Sequence, residues 1–155
     1  MEVNIRWMIR RDMPEVLRIE AAGFDPPWAE EDFIRHLRER NCIGMVAEYD
    51  ETIVGFMLYE LHKTRLELLK LAVHAECRRQ GVGQQMVGKL TGKLSSNRRN
   101  RIAMEICERN LDGQLFFRSM GFYAFAVVAD AYAMQYRHNI APPPVNFVNR
   151  ISDYA

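Results

Sequence analysis

The chain has 155 residues, 48% of them hydrophobic, which suits one domain with a real core and is too short for two of ordinary size. Lysine and arginine number 21 against 20 aspartates and glutamates, a formal net charge of +1, so no global field draws the protein to nucleic acid or an anionic membrane and any basic function must be local. The cysteines Cys42, Cys77 and Cys107 fit neither a disulfide framework nor a zinc site, and there is no apolar run of membrane length or signal-peptide core, so a reducing cytoplasm without export or anchoring is expected.

Val3, Ile5, Trp7 and Ile9 alternate with polar residues and predict a first strand, half buried on a sheet. A helix follows, with Asp12 as its cap, Pro14 in its first turn, Val16, Leu17 and Ile19 on its apolar face and an end near Gly23. DPPW is a turn, and Phe33, Ile34 and Leu37 mark a second short helix. CIGMVAEYDETIVGFMLYEL reads as two strands joined at Asp50 and Glu51, and RLELLKLAVH as a third, an antiparallel meander. From Val82 the apolar positions Met86, Val87, Leu90 and Leu94 repeat at helical spacing, with Gly88 and Gly92 forming a smooth stripe attributed to core packing, and SSNRRN closes the segment.

RIAMEIC alternates again, with Ile102, Met104 and Ile106 on one face and Glu105 on the other. Asn110 caps a helix carrying Leu115, Phe116 and Met120 that stops at Gly121, and FYAFAVVADAYAMQYR is a terminal hairpin. Interleaved helices and a mixed sheet make the fold α/β or α+β, a domain over residues 1–138, with a proline-containing tail over 139–155. His36, His62, His74 and His138 stand at no metal-ligand spacing, so no metal is expected. Arg98, Arg99 and Arg101 form a basic cluster, read as a solvated loop or a contact to a phosphate.

The stretch CRRQGVGQQMVGKL, residues 77–90, sets arginines before a Gly-x-Gly that opens a helix. A P-loop is excluded because no Lys-Ser/Thr follows in register, and a dinucleotide fingerprint is weak because Met86 replaces its third glycine. Arg/Gln-x-x-Gly-x-Gly/Ala between strand and helix is matched by Arg78, Gly81 and Gly83, a turn whose backbone N–H groups and helix N-terminus suit a pyrophosphate.

LLKLAVHAECRRQGVGQQMV resembles the acyl-CoA motif of the GNAT acetyltransferases, NLDGQLFFRSMGF resembles their later Asn…Gly-Phe segment, and RIEAAGFDPPWAEEDF is similar to the ribosomal-protein alanine N-acetyltransferase branch. The resemblance spans residues 3 to about 137 and implies the GNAT fold, a mixed, mostly antiparallel central sheet flanked by helices. It further implies that the backbone of Leu71, Ala72 and Val73 pairs with the pantetheine arm of acetyl-CoA, that Arg79, Gln80, Gly81, Val82, Gly83 and Gln84 wrap its pyrophosphate, and that Asn110 hydrogen-bonds it. Pro27 and Trp28 would line the acceptor.

Glu105 matches the family's glutamate base, and an α-amine of pKa about 7.7–8.0 asks only for a modest one. The family's general acid is a tyrosine seven residues after that asparagine, where this chain has Phe117, so water, Tyr123 or Tyr132 must serve, with Tyr132 the leading candidate. Cys107 is read as a small buried hydrophobe. The leading expectation is an acetyl-CoA-dependent N-acetyltransferase acting on a protein or peptide α-amine. Beside it stand acetylation of a small amine or lysine, and a non-catalytic acyl-CoA-binding protein. The short VADA connection departs from the long groove-walling loop of the alanine-acetylating branch.

Overall fold

The computed structural model describes residues 1–143. Strand β1 (Asn4–Trp7) leads through a 3-10 turn (Arg10–Asp12) into α1 (Met13–Gly23) and α2 (Glu30–Leu37), followed by β2 (Cys42–Tyr49), β3 (Thr52–Leu61) and β4 (Arg65–Val73). Then come α3 (Val82–Thr91), β5 (Arg101–Cys107), α4 (Leu111–Ser119), β6 (Tyr123–Val128) and β7 (Ala131–Arg137). Two bodies divide the described residues, Met1–Leu61 with Leu68–Lys89, and His62–Glu67 with the described residues from Leu90 onward. Residues 144–155, most of the expected tail, lie outside the described residues.

In the first body the strands run in the order β1-β2-β3-β4, with β1, β2 and β3 antiparallel. Asp50 and Glu51, at φ 49° and 62°, turn β2 into β3, the left-handed pair that matches the twist of a tight hairpin. Val16 and Ile19 of α1 and Phe33 of α2 pack against Val46, Phe56 and Leu58, whose apolar side chains supply the driving force for the layer.

The first strand departs from its expected pattern. Val3 and Ile9 lie outside it, and Trp7 and Ile9 are 68% and 45% exposed, because β1 has a neighbour on one side only, while Arg6 is held by charge. Its guanidinium donates to Glu48 (2.8 Å) and, through two nitrogens, to Asp12 (2.8 and 2.9 Å). Asp12 therefore makes no side-chain cap on α1; it accepts the Ile9 N–H (2.9 Å) and closes the 3-10 turn instead.

The Arg6 hydrogen bonds hold the Asp12 carboxyl below its ordinary 3.8, against the opposing effect of burial. A carboxylate with a depressed folded pKa stabilises above its unfolded value and loses that contribution as pH falls through the folded one. Asp12→Asn is thus expected to be less stable by about 1.5–3 kcal/mol at neutral pH, with the gap to wild type narrowing below about pH 4. Melting curves from pH 7 to 2 check it; a gap independent of pH would remove the ion pair as the cause.

The second body orders its strands β5-β7-β6, all antiparallel. As expected, Asn110 caps α4, its Oδ1 accepting the Gly113 N–H at 2.9 Å. The buried residue of α4 is Phe117, edge-on to Phe116 and Phe122, whereas Leu115, expected inside, is 51% exposed. The helix approaches β5 through Gly113, where a Cβ would come within 2.7 Å of Ile106 Cδ1, and this sets which of its faces is inward.

Two further expectations change. Helix α3 stops at Thr91, before Leu94, which is buried all the same. Gly88 is exposed and a Cβ there would meet no atom within 4 Å, so core packing does not account for that glycine.

Candidate functional site

In the first body, β4 ends in Leu71, Ala72 and Val73, and the chain then leaves the sheet with the His74 N–H bound to Val54 O (2.8 Å). A second 3-10 turn, Ala75–Cys77, is capped by His74 Nδ1, which accepts the Glu76 N–H. Arg79 (φ 62°) and Gly81 (φ 85°) both take the left-handed conformation, reversing the chain into α3. The first helical bond runs from Gln85 N–H to Gly81 O, so the N–H groups of Val82, Gly83 and Gln84 have no acceptor inside the helix. Three aligned donors at the positive end of a ten-residue helix suit an anionic group. Arg79, Gln80 and Gln84 are exposed around it, while Val82 is buried and anchors it.

Gln85, missed in the sequence, braces this turn. Its Nε2 donates to Gly81 O (3.0 Å) and Met1 O (2.6 Å), and its Oε1 accepts the Val3 N–H (2.9 Å).

The RIEAAGFDPPW segment closes on a charge that the sequence reading also missed. Glu20 is fully buried in α1; its Oε2 accepts the Trp28 N–H (2.9 Å) and pairs with Lys70 Nζ (2.8 Å), while Oε1 has no hydrogen-bond partner. The Lys70 ammonium lies 3.9 Å from the Phe24 ring centroid and 4.6 Å from that of Trp28, and Trp28 stacks on His36 at 4.3 Å. The signal was legible in part, since Glu20 follows Val16 and Ile19 on the apolar face of α1, where an unpaired acid is not tolerated. Trp28 is half-buried by this cluster and Pro27 stays exposed beside it.

In the second body, Glu105 stands out exposed on β5 between buried Met104 and Ile106, as the alternation predicted. Cross-strand register sets Glu105 opposite Ala133, and Ile106 opposite Tyr132, so the Glu105 and Tyr132 side chains leave the strand pair on opposite faces. Tyr123 lies on the Glu105 face, its hydroxyl accepting from Gln135 Nε2 (2.7 Å). Phe117 is buried between aromatic rings. Asn110 has committed Oδ1 to its cap, which leaves Nδ2 as the donor it can offer a ligand. Cys107 is exposed rather than buried, two residues from Glu105 on the same face. The β6–β7 connection is even shorter than expected, only Ala129 and Asp130. Among the described residues no cluster of His, Cys, Asp and Glu is gathered as a metal site, and no helix is long and apolar enough to cross a membrane.

Residues 11–122 match the Acetyltransferase (GNAT) family. The chain is 22% identical over 130 residues to the [ribosomal protein bS18]-alanine N-acetyltransferase of Salmonella typhimurium, covering 84% of this chain and 87% of that protein. Its fold is similar to that of Ard1 from Thermoplasma volcanium, with a TM-score of 0.79, 21% identity and coverage of 90% of this chain and 100% of the other. It also resembles Arabidopsis thaliana Naa50 in complex with the bisubstrate analogue CoA-Ac-MVNAL, with a TM-score of 0.71, 16% identity and coverage of 87% and 98%. Likeness at these identities establishes the α/β fold, seven strands with four α-helices.

Proposed function

The chain belongs to the acetyltransferase (GNAT) family, and from that membership we propose that it transfers an acetyl group from acetyl-CoA to the α-amine of a protein or peptide N-terminus. The observation that carries the reading is the turn at Gly81, which leaves the first N–H groups of α3 without helical acceptors at the point where the family motif requires a pyrophosphate. The acceptor class is supported by the alanine N-acetyltransferase relative and by the peptide-bearing analogue held by the Naa50 neighbour.

In this reading the backbone of Leu71, Ala72 and Val73 pairs with the pantetheine arm, Arg79 to Gln84 hold the diphosphate, and Asn110 donates through Nδ2. Pro27 and Trp28 line the acceptor. Acetyl-CoA supplies a thioester carbonyl; the acceptor nitrogen forms the new N–C bond as the C–S bond breaks. Glu105 takes the amine proton directly or through water, and Tyr132 or water returns a proton to the sulfur. Register sets the Tyr132 side chain on the face away from Glu105, so the strand pair does not bring the two together, and a proton returned by Tyr132 would reach the sulfur through water. The free cysteines Cys42, Cys77 and Cys107 suit a reducing cytoplasm.

Purified protein given acetyl-CoA with a mixed library of peptides and small amines tests the proposal, with thiol release and the mass of every acceptor followed together. Acetylated peptide N-termini are expected. Acetylated lysines or small amines alone would reassign the acceptor, and tight acetyl-CoA binding without thiol release would leave only a binding protein.

Gly81→Val is expected to weaken acetyl-CoA binding about tenfold or more, since a β-branched residue resists a φ of 85° and costs about 1–3 kcal/mol in that backbone. A Cβ itself has room, with Gln85 Nε2 nearest at 3.8 Å, so the effect is conformational. Calorimetric titration of a folded variant with undiminished affinity would take the turn out of the site.

A further inference from the structure

Resting on the assignment of Glu105 as the amine-facing base, we propose that Arg101 and Arg137 form an oxyanion subsite that binds a carboxylate of the acceptor peptide, further along the same sheet face.

The two arginines are direct cross-strand partners on β5 and β7. Like charges set directly opposite are unfavourable unless something answers them. Among the described residues neither guanidinium has a carboxylate within ion-pair distance. Arg101 makes one bond, to Asn100 Oδ1 at 3.2 Å, and Arg137 Nε is shielded from water without any hydrogen-bond partner. The one acid of the neighbouring segment His62–Glu67, Glu67, is already paired with Arg65 at 3.1 Å. Both arginines are half-buried, which raises the requirement for an anion above that of a solvated pair.

Alternation places Arg101, Ala103 and Glu105 on one face of β5, and register sets Arg137, Gln135 and Ala133 opposite them. Between the arginine pair and the base lie an alanine and a glutamine whose amide is tied to Tyr123, so no other charge interrupts the stripe. Four residues of strand separate Arg101 from Glu105, about 13 Å at the rise of an extended chain. An extended peptide with its amine at Glu105 brings its fifth residue to about that distance, and the reach of a glutamate and an arginine side chain extends the match back to its third. Each guanidinium offers the planar fork that binds a carboxylate bidentately, and two of them on directly opposite strand positions give it a doubly charged setting. The shared face with the base favours an acceptor-borne anion over free phosphate, the other oxyanion the pair would fit.

Steady-state kinetics with N-terminal peptides carrying Glu, or Gln as control, at positions two to six tests the proposal on wild type, Arg101→Gln, Arg137→Gln and Arg137→Lys. Wild type is expected to prefer Glu at one of positions three to five by about tenfold in kcat/KM, expressed in KM and weakened by salt. Both Gln variants should lose that preference while turning over the neutral peptides as wild type does, and Arg137→Lys should keep part of it. A merely structural role would change neutral and acidic peptides alike. Neutral peptides acetylated without discrimination in wild type would overturn the subsite and leave the acetyltransferase reading intact; no acetylated peptide at all would overturn both. Inorganic phosphate, titrated calorimetrically, should compete with the acidic peptide; saturable phosphate binding that needs both arginines yet leaves peptide preference unchanged would make this a phosphate site instead.

Discussion

Glu105→Gln is expected to lower turnover by about 10²- to 10⁴-fold while leaving acetyl-CoA affinity nearly unchanged, the range for loss of one general base. The side chain is exposed on a strand whose neighbours are buried, so glutamine should fit without disturbing the fold and the effect should fall on chemistry. Turnover measured across the titration of the acceptor amine separates the roles, because at high pH the acceptor is already neutral and the deficit should shrink. Equal turnover for wild type and variant over the whole series would defeat the assignment. Phe117, packed between Phe116 and Phe122, supplies no proton to the other half of the reaction. Tyr132→Phe, read on the thiol-forming step, shows whether that tyrosine does or whether water suffices.

Lys70→Met is expected to destabilise the protein by about 3–5 kcal/mol, because it strands a carboxylate inside the first body. Glu20 is 0% exposed and Lys70 9%, so water replaces neither partner. For a chain of this length that is a fall in Tm of roughly 6–20 °C. Scanning calorimetry of Lys70→Met beside the Lys70→Met/Glu20→Gln double variant tells a stranded charge from lost packing. The double variant should recover much of the loss, since a neutral side chain still accepts the Trp28 N–H; a double variant as unstable as the single would place the cost in packing against Phe24 and Trp28.

Local chemistry made much of this architecture legible. The Asp50–Glu51 turn, the Asn110 cap and the buried face of β5 follow from residues within a few positions of one another. The errors share a cause. Trp7 and Ile9 alternate like core residues, but whether an alternating strand has a covered face depends on its place in the sheet, which no local pattern records. Leu115 has helical spacing, yet the close approach at Gly113 turned another stripe of α4 inward. Glu20 with Lys70 and Arg101 with Arg137 are pairings across 50 and 36 positions, visible only once the elements are assembled. At the turn into α3 the motif located Gly81, while the bracing by Gln85 depends on where Met1 and Val3 come to rest.

Arg79 holds a backbone conformation that glycine occupies at no steric cost, in a turn where Gly81 already does. A chain selected for comfort alone would place glycine or asparagine there, so the guanidinium persists against a standing penalty of about 1 kcal/mol. If Arg79 holds the diphosphate as proposed, stability and ligand capture are in tension at one residue: Arg79→Gly is then expected to raise the melting temperature of the ligand-free protein and, at the same time, to lower its affinity for acetyl-CoA. Both moving in the same direction would mean that the arginine serves the turn rather than the diphosphate.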